Sequence, residues 1–254
     1  MEGKLVAEII LHIAKMDEMD ITALRRLQES IEGLETIIDG LGFCLSEERD
    51  LLSQWRGYAA DATGVSIGFS KKYLEQLAEA TRNPKKSGFT LQRVEYERLA
   101  QVNLVKPTYT KIRELIDKGA FNIPGKRGLL DIRSDEEVDK ENEKIKRAYH
   151  NLSMTVLILF KDLFLLKTKA FSEELEWRLI SYFAKTGDDQ CMFRAANDRL
   201  IPYREFKLLE LEESAISEIV VGPKNLTPSH VIEGFLIKHG FANVKVSHSD
   251  ASYR

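Results

Sequence analysis

The sequence has only two cysteines, Cys44 and Cys191, among 254 residues. They form no Cys-x-x-Cys pair and no spaced ligand pattern, and a chain of this size needs no lone disulfide as a staple, so the composition points to a reducing, cytoplasmic setting. A long unbroken hydrophobic run is also missing. The best candidate, Leu152 to Leu166, is interrupted by Lys161 and Asp162 after about nine residues, well short of the roughly 20 that a membrane span needs. It is expected to be a buried helix, and no membrane partner is expected. Met1 to Lys15 is amphipathic, carries Glu2 and Glu8 and has no small-residue cleavage site, which argues against a signal peptide.

No charge of one sign dominates: the formal net charge is -3. That excludes a global basic footprint for nucleic acid or anionic membrane. The basic spots Lys85-Lys86 and Lys126-Arg127 fall in loops and are read as solvated charge. The five histidines, His12, His150, His230, His239 and His248, show no His-Glu-x-x-His or related ligand spacing, so no metal site is assigned. Ser46, Ser53 and Ser66 lack a Gly-x-Ser-x-Gly context, which leaves nucleophilic hydrolysis without support. No internal repeat is visible.

What remains is ordinary globular composition, 43% hydrophobic and 30% charged, with enough apolar residues for a real core. Leu5, Val6, Ile9, Ile10 and Ile13, then Leu24, Leu27, Ile31 and Leu34, recur at helical spacing and predict an opening helical pair. Gly42 to Leu45 is a short strand candidate, after which Ser46 is expected to cap a helix that ends at Gly57. Val65 to Phe69 alternates as a strand, Ser70 caps a helix through Leu77, and Asn83-Pro84 closes it. Phe89 to Tyr96 is a further strand candidate. Glu97 to Lys169 turns helical, with breaks expected at Pro107 and over the Pro/Gly loop 122–128. The tail predicts strands at Trp177 to Phe183, Tyr203 to Leu209, Ile216 to Val221 and Val244 to Val246, with a helix from Pro228 to Lys238. Together these elements predict one α+β domain over residues 1–254. Its mixed or antiparallel sheet is assembled from distant segments, with a large helical insertion at about 97–169.

The most informative stretch is Leu45 to Phe69, where a short helix ending in Trp55, Arg56, Gly57 and Tyr58 leads to a Gly-punctuated strand. That pattern suits a pocket wall. Arg56 has the fork geometry to clamp an anion, and Tyr58 and Trp55 offer ring faces for stacking; equally, the same side chains can knit helix to sheet. Gly64 and Gly68 allow close backbone approach without matching a phosphate-binding fingerprint. Further on, Glu174 and Glu176 are expected on one face at a strand start, where two carboxylates can share a site and perturb each other. The bland alternative is an acidic strand entrance in which Glu176 pairs with Arg178 or Arg56.

The blocks Ser53-Gln54-Trp55-Arg56-Gly57-Tyr58, Gly64 to Phe69, Glu174-Leu175-Glu176-Trp177-Arg178, Ile219 to Pro223 and the closing Ser249 to Arg254 resemble a widespread bacterial family of unknown function. Members of that family usually open with a Tyr-His-Tyr-Thr-like strand and an Asn-Asp-Pro-x-Glu-like turn, and neither precedes the first helix here. The resemblance therefore implies an N-terminally shortened chain, or a first strand supplied differently. Its layout is in turn similar, at the level of fold analogy, to the three-motif arrangement of ADP-ribosyltransferases.

That analogy implies a toxin or defence effector that consumes NAD as substrate, without a metal. Glu176 would steady an oxocarbenium-like transition state and Glu174 orient the acceptor. Ser66 would brace the pocket, Tyr58 and Trp55 flank a ring, and Arg56 meet the pyrophosphate, with Arg178 among the ligand-binding residues. The rival expectation is a non-catalytic module that binds a small-molecule nucleotide or a protein partner.

Overall fold

The computed structural model describes residues 3–81, 88–128, 131–185, 191–209, 211 and 213–253. The expected turn at Asn83-Pro84, the Lys85-Lys86 spot and the terminal Arg254 lie outside the described residues. The architecture is α+β, and the chain clusters into two compact units. The first comprises Met1–Gly40, Val94–Ala170 and Phe183–Asp188, and the second Leu41–Arg93, Phe171–Tyr182 and Asp189–Arg254.

The first unit is helical: α1 (Gly3–Met16), α2 (Ile21–Glu32), the single turn α3 (Leu34–Ile37) and, from the predicted insertion, two long helices. In α1 the apolar spacing buries Val6, Ile9, Ile10 and Ala14 along one stripe. In α2, Asp20 caps the start by accepting from the Thr22 and Ala23 amides at 2.9 and 3.0 Å, and Ala23, Leu27 and Ile31 turn inward. Complete burial of a leucine such as Leu27 contributes about 2 kcal/mol against an exposed one.

The long pair are α6 (Arg98–Asp117) and α7 (Asp135–Leu163) of the chain-order numbering, which also includes two helices of the second unit. Pro107 does not break α6, contrary to expectation. A proline removes one i to i−4 bond, but Val105, Tyr109 and Ile112 bury the same stripe on both sides of it and hold the helix through. Helix α7 opens with a capping box, Ser134 and Glu137 serving each other's backbone amides, under an acidic first turn. Among the described residues, no helix is long and apolar enough to cross a membrane.

The second unit carries the sheets. Its elements are most of β1 (Ile38–Ser46), α4 (Leu52–Tyr58), β2 (Val65–Phe69), α5 (Lys71–Thr81), β3 (Thr90–Arg93), most of β4 (Glu176–Ala184), β5 (Met192–Ala196), β6 (Arg199–Tyr203), β7 (Ile216–Val221), α8 (Ser229–Lys238) and β8 (Lys245–His248). One sheet runs β1-β4-β3, a second β2-β7-β8, and β5-β6 stands as a hairpin. Strand β3 lies antiparallel to β4, with Arg93 opposite Trp177. Strand β2 lies antiparallel to β7, with Val65 opposite Val221, while β7 and β8 are parallel. Each of the two three-stranded sheets is thus built from segments far apart in sequence, as the pattern predicts, although they are separate sheets rather than one. Tyr73, Leu74, Leu77 and Phe89 form one core cluster, and Trp55, Ala62 and Val220 another.

Local expectations fail in three further places. Ser46 caps no helix: α4 starts at Leu52 behind Leu51, while the Ser46 hydroxyl donates to the Glu174 carbonyl at 2.8 Å and accepts from the Glu48 amide. The strand expected over Tyr203 to Leu209 is replaced by the β5-β6 hairpin just before it, turned at Asn197 with φ +52°. Pro228 is the N-cap of α8 rather than a first-turn residue. Ser70 does cap α5, accepting from the Tyr73 amide at 3.2 Å.

Candidate functional site

Within the second unit, a cavity of about 600 Å³ opens among β1, α4, β2, α5 and β4. Leu45 to Phe69 supplies much of its wall, because the chain turns back on itself between α4 and β2. Ala60, Asp61 and Ala62 all adopt left-handed φ values of +47°, +54° and +70°, a conformation that costs a non-glycine residue roughly 1 kcal/mol or more. Two bonds hold the turn: the Ala62 amide donates to the Trp55 carbonyl at 3.0 Å, and the Gly64 amide to the Ala59 carbonyl at 2.9 Å.

Trp55 is buried at 3% exposure, and its indole N–H donates to Asp50 at 2.6 Å. Asp50 also accepts from the Ser249 hydroxyl and from the Asp250 amide, the latter at 2.7 Å, so the tail of the chain is tied to the helix that carries Trp55. Burial raises the Asp50 pKa, but hydrogen bonds from Ser249, Trp55 and the Asp250 and Ala251 amides outweigh it and hold the carboxyl below its usual range.

The cavity is walled by rings. Trp55, Tyr58, Phe43, Phe69 and Trp177 all line it, and Phe43 meets Phe69 edge to face at 6.2 Å between centroids. Its charged rim is largely satisfied. Glu47 accepts from the Trp177 indole at 2.6 Å and from Arg93 at 3.1 Å; Arg49 pairs with Glu218 at 2.7 Å; the Lys71 ammonium sits 4.0 Å over the Trp177 ring.

Of the expected catalytic and ligand-binding residues, Trp55, Tyr58 and Ser66 line this cavity, and Arg56, Glu174, Glu176 and Arg178 do not. Strand alternation decides the fate of β4: Glu176 and Arg178 point to one face, Trp177 to the other. Trp177 faces the cavity. Glu176 and Arg178 are 4% and 5% exposed and join in a two-pronged ion pair, Nε to Oε1 at 2.7 Å and Nη2 to Oε2 at 3.0 Å. Glu174 does not share their strand. It closes a 3-10 helix (Lys169–Glu174), and Leu175, at φ +41°, separates it from β4, so the expected two-residue alternation does not reach it.

Arg56 is exposed and sits 5.2 Å from the centre of the Tyr253 ring, which also takes the Lys224 ammonium at 3.7 Å. Tyr253 donates to Asp61, and Lys224 pairs with Asp61 at 2.8 Å. Hydrogen bonds from Lys224 and Tyr253 lower the Asp61 pKa. The cluster clamps the left-handed turn to the tail.

Residues 54–179 match a protein family of unknown function, DUF2971. The matched span begins in α4 and ends in β4, so it takes in Trp55, Tyr58, Ser66, Glu176, Trp177 and Arg178, but neither Phe43 nor Glu218. It covers just under half of the chain, less than the end-to-end resemblance read from the motifs. No curated protein and no solved structure matches.

Sequence reasoning missed Trp177, Phe43, Lys71 and Asp50 as site residues. A signal for Trp177 was present: once Glu176 and Arg178 are assigned to one strand face, the residue between them must occupy the other.

Proposed function

We propose that the second unit is a small-molecule-binding module whose cavity takes a planar aromatic ring on a ligand of nucleoside size. The observation that carries this reading is the ring-lined wall: Trp55, Tyr58, Phe43, Phe69 and Trp177 around about 600 Å³, within the range of roughly 300 to 1,000 Å³ typical of such sites. Rings stacked on rings gain dispersion and quadrupole attraction without needing a charged partner, which suits a rim whose ions already satisfy one another.

NAD-consuming transferase chemistry is the rival. It keeps Trp55, Tyr58 and Ser66 in the same cavity, but it needs Glu176 to reach a substrate, and that carboxylate is buried against Arg178. Recognition without catalysis therefore accounts for more of the site.

The two tryptophans of the chain both line the cavity, so intrinsic fluorescence is a built-in reporter. Titration with NAD, ATP, adenosine and nicotinamide should give saturable quenching by at least one of them. Tyr58→Ala, at a position 79% exposed, should weaken that binding several-fold and leave the melting temperature unchanged. Nicotinamide release from NAD, lost in Glu176→Gln at unchanged stability, would favour the transferase instead. No saturable change with any of the four ligands would remove the binding reading as stated.

A further inference from the structure

The helical unit contains a cavity of its own, about 820 Å³, between α2, α3 and the middle of α7, lined also by residues 120–124. Its floor is apolar: Leu34, Ala120, Ile145, Leu152 and Val156 are all buried. Around it, Ile37, Ile123 and Tyr149 leave 57%, 76% and 57% of their surface in water, an exposure of large apolar side chains that marks a site built to be covered.

The serine and threonine hydroxyls of the lining, and two of its three charged side chains, are satisfied within the unit. Ser30, Thr36 and Ser153 donate their hydroxyls to carbonyls three or four residues back in the chain. Lys146 pairs with Glu143 at 2.9 Å, and Glu29 with Arg25 at 2.9 Å. Arg26 is the exception. Its Nη1 donates to the Phe121 carbonyl, and no carboxylate of a described residue pairs with it. A guanidinium has five donors, so Arg26 brings a positive charge and unused N–H groups to an otherwise apolar hollow.

We propose that this cavity binds a single-chain amphiphile with a carboxylate head, the alkyl chain lying over Leu34, Leu152 and Val156 and the head on Arg26. An anionic head complements the one charge that lacks a counterion, and an extended chain matches a lining that offers hydrophobic surface and few donors. The volume falls within the ordinary range of small-molecule pockets.

The test is calorimetric titration of the whole protein with decanoate below its micelle concentration, beside butyrate and decyltrimethylammonium. Decanoate should bind one to one. Butyrate should show no saturable binding, and the cationic amphiphile should bind at least roughly tenfold more weakly than decanoate. Arg26→Gln should weaken decanoate by a similar factor and erase the preference between heads. Ser153→Trp, at an exposed lining position where the fold tolerates bulk, should block decanoate even if Arg26→Gln fails to fold.

Absence of decanoate binding, equal affinity for both heads, or undiminished binding in folded Arg26→Gln or Ser153→Trp would overturn the proposal. So would displacement by a planar ligand that quenches Trp55 and Trp177, because decanoate would then occupy the other cavity.

Discussion

Gly222 lies so close to Ala62 that a Cβ at position 222 would stand 2.5 Å from the Ala62 carbonyl oxygen, and 2.8 Å from that of Gly64. The Gly222 amide donates to the Gly64 carbonyl and the Lys224 amide to that of Ala62, so the left-handed turn is held from outside by this segment. Because both obstacles are backbone, Gly222→Ala should cost about 2 kcal/mol or more. Gly57→Ala, in α4 with nothing within 4 Å of its Cβ, should instead stabilise by about 0.5 to 1 kcal/mol. Denaturant unfolding of the two variants checks both signs.

Asp50 should couple the tail to Trp55 in a pH-dependent way. Its carboxyl is held below the ordinary 3.8 in the folded protein, so the stability it contributes is present above that value and is lost as pH falls through the folded pKa. Asp50→Asn should therefore lower stability at pH 7 and do so much less at pH 3. It should also speed proteolysis near Ser249, measured by limited digestion and mass spectrometry.

Asp162 behaves in the opposite sense. On α7 it is 2% exposed, and its Oδ2 has no hydrogen-bond partner; burial pushes its pKa up to about 6 despite the opposing charge of Lys161. The folded state then holds the proton more tightly than the unfolded one, so stability falls as pH rises from about 4 to about 6. Asp162→Asn should flatten that slope and raise the melting temperature at pH 7, leaving it little changed at pH 4.

Glu176 is predicted to matter first for folding. Removing one partner of a buried pair breaks its two-pronged contact and leaves a buried charge less well compensated, and Glu176→Ala should cost about 3 kcal/mol. Replacing Glu176 and Arg178 together with leucine should cost less than the two single changes summed, a coupling that a double-mutant cycle of denaturant midpoints measures.

Much of the fold was legible because its cause is local. The stripe Val6, Ile9 and Ile10, the cap at Ser70 and the alternation over Val65 to Phe69 each depend on residues within one or two turns. The hairpin at 192–203 left only the Asn197-Asp198 turn as a signal, since its Phe193 and Leu200 are exposed and show no inward period. Of the candidate site, Trp55, Tyr58 and Ser66 were readable from one continuous wall segment. Trp177 was harder to find, because its partner Glu47 lies 130 positions away.

The sequence by itself determined an α+β chain, and it drew attention to Leu45 to Phe69, much of which lines the cavity, because hydrophobic period and turn chemistry are properties of neighbouring residues. Only the tertiary structure decided that Ser46 bonds Glu174 rather than capping a helix, that Glu176 turns inward to Arg178, and that Trp177 faces the cavity. Those outcomes depend on which distant strands pair and in what register, and a one-residue shift in register exchanges the two faces of a strand.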